Sequence, residues 1–423
     1  MIAYRANILY TPTPERFMLL ERGYVVVGDD GNVINTYASL PDEYADVELV
    51  DFGNQMLMPA MNDLHVHAPQ YRNLGIAMDM ELLPWLNTYT FPEEMKYSDV
   101  KYAERMYRRF VHDLWKLGTM RAAIFATIHP AASCLLADLL HEANMGGMIG
   151  LVGMDRNSPA GLTNTVEQWK EGMDLLMAHT ASMPLISAIV TPRFIPSCTP
   201  EMLNEMGHLA HDKQLPVQSH LSENQSEIEW VKELEPQASC YGDAYNRYGL
   251  FGQTPTLMAH CCYTDKEEFE LMRRNRVFAV HCPTSNCNLG SGIAPIRRFM
   301  EAGIPVALGS DVSAGSGFSI FRAIHYTLQM AKMKWVHSNH RDKFLSLSEA
   351  FYLATKSGGS FFGKVGSFEP GYAFDALVVD VSQLNFDNYT LQHRLERYIY
   401  LGDDRHLTHR FCQGKEIAAP RII

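Results

Sequence analysis

One pattern constrains this chain more than any other: a short apolar run that ends on a polar residue, recurring with an amphipathic stretch and a Gly or Pro between repeats. The first four runs span 57–66 (carrying His65, with His67 next), 122–128 (ending at His129), 148–154 (ending at Asp155) and 185–190 (ending at Thr191-Pro192-Arg193). Four more span 216–218 (ending at Ser219-His220), 256–259 (His260), 277–280 (His281) and 305–308 (Ser310-Asp311). This is a β/α rhythm. Separations such as the 30 residues from His281 to Asp311 and the 40 from His220 to His260 bracket the roughly 31 residues per unit of an eightfold barrel. The fold expected is therefore α/β, a (β/α)₈ barrel of the TIM type, with its active site at the strand C-termini where these polar residues fall. One crossover helix is legible in detail: Val100, Ala103, Tyr107, Phe110, Val111 and Leu114 recur at helical spacing, and Gly118 follows where a left-handed residue ends a helix.

Both chain ends read differently. Strands are expected at 6–10, 17–21, 24–28, 33–37 and 47–52, and again at 376–381, 398–401 and in a hairpin of 407–412 with 415–418 turning at Gln413-Gly414. Neither end is large enough for a core of its own. Residues 1–58 and 366–423 are expected to build one discontinuous β-sandwich domain beside a barrel of 59–365.

Composition narrows the function. The chain has 36 Lys+Arg against 48 Asp+Glu, a net charge of −12, and no long basic cluster, which argues against nucleic acid as a partner because that affinity is built from neutralised phosphates. A hydrophobic fraction of 47% is ample for a large core and excludes disorder for most of the chain. Arg5 interrupts the first ten residues and no apolar run of signal length follows, so secretion and membrane insertion are unsupported and the cytoplasm is the expected location. The eight cysteines form no CxxC, which fits reduced thiols.

His65-Val66-His67 places two imidazoles on one face of a strand, and His220, His260 and Asp311 end later strands. Three or four N/O ligands with a place left for water are what a catalytic zinc needs. Glu223, three residues past His220, is in reach of such a water and reads as a general acid/base, although a solvated acid beside Glu227 and Glu229 is the plainer alternative. Arg193 could be a surface arginine, Trp85 a core aromatic and Gln70 a loop polar group. His281 could serve only a neighbouring loop, and His129 reads as structural. Gly315-Ser316-Gly317 lacks the lysine and spacing of a P-loop and reads as the loop after the eighth strand.

These residues, with Gln70-Tyr71, Leu83-Pro84-Trp85-Leu86, Tyr89-Thr90-Phe91-Pro92, Thr191-Pro192-Arg193-Phe194, Ser219-His220-Leu221-Ser222-Glu223-Asn224, His281-Cys282-Pro283-Thr284-Ser285-Asn286 and Gly309-Ser310-Asp311-Val312, resemble the amidohydrolase superfamily and, within it, the guanine deaminase family. The resemblance covers nearly the whole chain. Pro59-Ala60 departs from the usual Pro-Gly at the local turn. The resemblance implies one zinc per chain on His65, His67, His220 and Asp311, with Glu223, Asp311 and His260 catalytic. It implies a purine base bound by Gln70, Arg193, Trp85 and Phe194, with His281 nearby, and a homodimer. The implied reaction is hydrolysis of guanine to xanthine and ammonia. Independently, no Lys occurs between Met183 and Pro200 to be carboxylated as in two-metal members, and the His-x-Glu with Pro-Cys-x-x-Cys design of other zinc deaminases is absent. A deaminase of another heterocycle, such as 8-oxoguanine or a pterin, would need the same metal machinery, and a barrel scaffold without catalysis would have no reason to keep Glu223.

Overall fold

Eight parallel strands, Met61–His67, Thr119–Phe125, Gly146–Gly150, Ile186–Ala188, Val217–Leu221, Thr256–His260, Phe278–His281 and Val306–Leu308, form the barrel in the computed structural model, which describes residues 1–422. They run as two four-stranded arcs in chain order. The arcs meet on one side at Val190, whose N–H donates to the Pro216 carbonyl and whose carbonyl accepts from the Gln218 N–H, both at 2.9 Å. On the other side the Asp311 N–H donates to the His65 carbonyl at 2.8 Å. Every expected apolar run overlaps one of these strands. Leu64, Ala123, Leu257, Val280 and Ala307, from five different strands, pack together with Ile189, which follows the fourth, as the filled barrel interior.

The register of the first strand slips between Asp63 and Val66. Such a bulge re-aims side chains. Leu64 packs into the barrel interior while Val66 joins the outer core, and both histidines face the mouth. The first crossover helix, Val100–Lys116, buries Ala103, Tyr107, Phe110, Val111 and Leu114, as their spacing requires, and is capped by Asp99, which accepts from the Lys101 N–H at 2.9 Å. Gly118 after it has φ +83°, and a Cβ there would meet Leu377 Cδ1 at 2.7 Å, so the turn and the approach of the neighbouring sheet both demand glycine.

That neighbouring sheet is built from both chain ends. Its seven strands, Lys415–Glu416, Leu407–Cys412, Ala376–Val379, Glu48–Pro59, Ile2–Thr13, Arg16–Val27 and Val33–Tyr37, lie in that spatial order. Two strands separate Tyr4 from Phe411, a gap of about 14 Å in a flat sheet. Their rings nevertheless touch, with centroids 5.3 Å apart, so the sheet folds back on itself around Tyr4, Phe52, Phe374 and Phe411. Two expectations are corrected. Residues 17–21 and 24–28 belong to one strand, Arg16–Val27, which passes through a kink at Arg22 (φ +49°). The strand expected at 398–401 is the last turn of a helix, Leu391–Leu401, whose buried residues Leu391, Leu395, Tyr398 and Ile399 share one face. A run of four apolar residues does not separate the two periods. The sheet docks on the barrel through the buried pair Arg121–Asp375 (2.5 Å) and through Arg410, whose guanidinium lies 4.2 Å over the Trp115 ring.

Candidate active site

The strand C-termini bring four potential metal ligands to one point. His65 Nε2 and His67 Nε2 are 3.3 Å apart, and His67 Nε2 is 3.2 Å from His220 Nε2. Asp311 Oδ1 is 3.3 Å from His65 Nε2 and 3.5 Å from His67 Nε2. Ligands about 2.05 Å from one zinc ion lie about 3.3 Å or more from one another, and these four separations fit that spacing. Burial, with the crowding of the other imidazoles, holds His67 and His220 well below the usual histidine range, and burial lowers His65 too. They are neutral, as ligands must be. Burial would raise Asp311, but the His65 hydrogen bond and the neighbouring imidazoles outweigh it and keep it ionised. His220 is oriented from behind: its Nδ1 donates to the Arg193 carbonyl at 2.6 Å. Cys282 also comes within ligand range of His65 and Asp311, but burial holds its thiol protonated.

The backbone at these strand ends is strained. Ser222, His260, Cys261 and Asp311 have φ of +46°, +73°, +50° and +48°, a region that non-glycine residues enter at about 1 kcal/mol or more each. Gly309 is obligatory for a different reason: a Cβ would lie 2.8 Å from His65 Cβ and 3.0 Å from Cys282 Sγ. Asp63 fastens the eighth strand to the first, accepting from the Ser310 N–H (3.0 Å), the Ser310 hydroxyl and the His65 N–H (3.2 Å).

Glu223 is buried, and that burial pushes its carboxyl up to about 7. Its Oε1 accepts from the Ser291 hydroxyl at 2.9 Å, and its Oε2 is 3.5 Å from His260 Nε2. His260 in turn is 3.9 Å from Asp311 Oδ2, and its Nδ1 is paired with Asn286 Oδ1 at 2.9 Å. Burial lowers the His260 imidazole, but Glu223 and Asp311 beside it reverse the sign and raise it. Glu223, His260 and Asp311 thus stand in sequence beside the ligand cluster, with the His260 ring between the two carboxylates.

The same pocket is also lined by residues from the segment between the first strand and the Val100–Lys116 helix. Trp85 and Phe194 line it, with Leu82, Leu86 and Leu289. Gln70 and Arg193 line it too, both buried, and both donate to Glu94: Gln70 Nε2 to Oε1 at 3.0 Å and Arg193 Nη1 to Oε2 at 2.6 Å. The structure therefore brings together every sequence-expected residue except His281. That histidine ends the seventh strand fully buried, its Nδ1 without a partner, facing a separate small cavity by Ile296 and Thr327. Burial lowers it to about 3, so it is neutral. His129 stands at the start of the Pro130–Glu142 helix, outside the pocket lining.

Glu94, Ser291, Asn286 and Glu227 were not singled out by the sequence. Glu227, named only as an acid near Glu223, is buried: it accepts from the Glu223 N–H (3.1 Å), the Asn224 N–H (3.3 Å) and the Tyr241 hydroxyl (2.7 Å). Asn224-x-x-Glu227 is a capping-box pattern opening the Gln225–Leu234 helix, and that signal could have found it.

The model of the Amidohydrolase family matches residues 56–417. A barrel with this ligand geometry and this match make the chain a member of the amidohydrolase family. Within the family its relatives are specific. Guanine deaminase of Dictyostelium discoideum is 40% identical over 381 residues, covering 87% of this chain and 84% of that protein. Guanine deaminase of Escherichia coli (strain K12) is 33% identical over 380 residues, covering 87% and 84%. The crystal structure of guanine deaminase from C. acetobutylicum with bound guanine in the active site matches with a TM-score of 0.97 at 49% identity, over 98% of this chain and 99% of that one.

Proposed function

We propose that this protein hydrolyses guanine to xanthine and ammonia, using one zinc ion per chain held by His65, His67, His220 and Asp311. The observation that carries this reading is one pocket lined by two unlike sets of side chains: Glu223, His260 and Asp311 beside the ligand cluster, and the donors of Gln70 and Arg193 with the Trp85 and Phe194 rings. When bound, zinc lowers the pKa of a coordinated water toward about 7 and makes a nucleophile available at neutral pH. The chain's own groups do the rest. Asp311 and His260 take and orient the proton of the attacking water. Glu223, poised near 7, delivers a proton to the ring N3, where xanthine keeps it, then takes up the proton shed by the C2 hydroxyl as the carbonyl forms and passes it to the leaving 2-amine, and the proton held by Asp311 and His260 restores it. Arg193 has donors and no acceptor, so it fits the O6/N7 edge of guanine and not the N6 amine of adenine. Gln70 donates to the same base, and Trp85 and Phe194 cover its face.

Incubating the purified protein with guanine, adenine, 8-oxoguanine and a pterin, and measuring ammonia, tests this directly. Guanine alone should be turned over rapidly. Ammonia released faster from another member of the panel would replace guanine as the substrate.

The proposal extends to a reducing cytoplasm and a homodimer. All eight cysteines are unpaired, and no helix of the described residues is long and apolar enough to cross a membrane. The exposed Phe344, Tyr400 and Leu401 line one surface groove with Leu347, an apolar face suited to a second copy. Light scattering at micromolar concentration should give twice the 47.8 kDa of one chain, and the monomer mass would reject the dimer.

A further inference from the structure

Glu94 is buried at 3% exposure on the short helix Phe91–Glu94, and it touches neither the ligand cluster nor Glu223. Both of its oxygens are used. Oε1 accepts from Gln70 Nε2 and Oε2 from Arg193 Nη1. Two residues that are far apart in the chain and that both face the pocket are thus held by one carboxylate.

The consequence for Gln70 is directional. An amide side chain can present either its oxygen or its nitrogen, and at most resolutions the choice is a matter of assignment. Here it is dictated from both sides. The backbone N–H of Ser313 can only donate, and it meets Gln70 Oε1 at 3.2 Å. The Glu94 carboxylate can only accept, and it meets Nε2. Gln70 has one N–H left for the pocket and its oxygen is occupied. Arg193 makes its side-chain hydrogen bonds through Nη1, to Glu94 and to the Met154 sulfur at 3.9 Å, and its guanidinium rests 5.0 Å over the Phe91 ring. Its remaining N–H groups are also donors. With Glu94 in place, this wall of the pocket offers hydrogen-bond donors only.

We propose that Glu94 is a specificity-determining positioning residue: by fixing Gln70 and Arg193 together it makes the wall a reader of a carbonyl oxygen at C6 and an excluder of an amine there. This rests on the guanine reading above and deepens it. A base bearing an N6 amine would set donor against donor in a dry pocket, and unpaired buried groups of that kind reject an analogue by about 10⁴. Without the carboxylate, Gln70 loses one of the two contacts that orient it, and Arg193 loses the anion that places its plane.

The discriminating substrate pair is guanine and 2,6-diaminopurine. Both carry the 2-amino group to be displaced, and they differ at C6 alone, carbonyl against amine. For the zinc-loaded parent, kcat/KM should favour guanine by about 10⁴. In Glu94→Gln the guanine KM should rise at least about tenfold, with kcat changed much less, and the preference over 2,6-diaminopurine should shrink by at least about tenfold, because the mobile Gln70 amide can then turn its oxygen to the N6 amine. A purely structural role for Glu94 would lower the active fraction and leave the preference between the two bases unchanged.

Should Glu94→Gln fail to fold around the unpaired Arg193, the charge-neutral double variant Glu94→Gln/Arg193→Met decides. Because Glu94 works through Arg193 as well as Gln70, its removal should cost less discrimination on the Arg193→Met background than on the parent. A further additive loss contradicts the proposal, as does a Glu94→Gln that keeps the parental KM and preference. A parent inert toward guanine would instead overturn the function itself, an outcome separate from any of these.

Discussion

The two walls of the pocket are made differently. The ligand wall stands on barrel strands and their immediate ends: His65, His67, His220, His260 and Asp311 each follow an apolar run, and two of them sit in left-handed backbone that the surrounding barrel over-determines. The purine wall stands on connections. Gln70, Trp85 and Glu94 come from the stretch between the first strand and its helix, and Arg193 and Phe194 from the loop after the fourth strand. Rigid strand ends suit atoms that must keep edges near 3.3 Å around a cation, whereas loops carry the contacts that distinguish one base from another. The division predicts that damage to the first wall removes chemistry and damage to the second removes choice.

The largest effect should come from the metal. Exhaustive chelation is expected to abolish ammonia release, and stoichiometric zinc to restore it. Elemental analysis should find one zinc per chain, and two equivalents, or full activity after chelation, would break the ligand wall as described. Next is Glu223→Gln, which keeps Ser291 as a neighbour and leaves the four ligands untouched. It should lose at least about 10²-fold in kcat with zinc content and guanine KM near the parent's. Near-native turnover would move the proton chemistry elsewhere. Arg193→Met should act the other way, raising the guanine KM about tenfold or more with zinc retained, and parental KM would return Arg193 to a structural part.

The smallest effect concerns stability, not turnover. Glu268 is buried behind Ser222, its Oε1 accepting from the Ser222 hydroxyl (3.1 Å) and the Gly242 N–H (2.9 Å), and burial raises its carboxyl from 4.5 to about 7. An acid whose folded pKa is raised binds its proton more tightly when folded. Its contribution is therefore fully present below about 4.5 and is lost as pH rises through about 7. Glu268→Gln keeps the accepting oxygen and cannot ionise. In urea denaturation the variant should gain on the parent as pH rises from about 4.5 to about 7 and level off above that, toward an upper bound of about 3 kcal/mol. A difference independent of pH would show that Glu268 stays ionised in the folded protein.

The same division explains what could be read from the sequence. A strand-end residue is announced by the apolar run before it, so the barrel and its ligands were legible from local pattern alone. Glu223 was legible by its offset from His220. Glu94 was not, because its importance lies in joining Gln70 to Arg193 across 99 residues of chain to the latter, and no local pattern records such a meeting. Ser291 reaches Glu223 across 68 residues in the same way. The helix at Leu391–Leu401 is hidden in the sequence because its last four residues form an apolar run that suits a strand equally well, and its buried face appears only when Leu391 and Leu395 are counted. His281 ends a strand like the ligands do, but its ring turns away from the pocket, and side-chain direction at a strand end depends on local twist that the sequence does not display.

The division of labour is tested most directly by the binding of xanthine, the product, to the zinc-loaded parent, Glu223→Gln and Arg193→Met by titration calorimetry. Xanthine keeps the O6/N7 edge and no longer needs a proton delivered. Glu223→Gln should bind it within about threefold of the parent, and Arg193→Met should bind it at least about tenfold more weakly, a loss of about 1.4 kcal/mol. Equal weakening in both variants, or weakening in Glu223→Gln alone, would contradict a pocket with one wall for chemistry and another for choice.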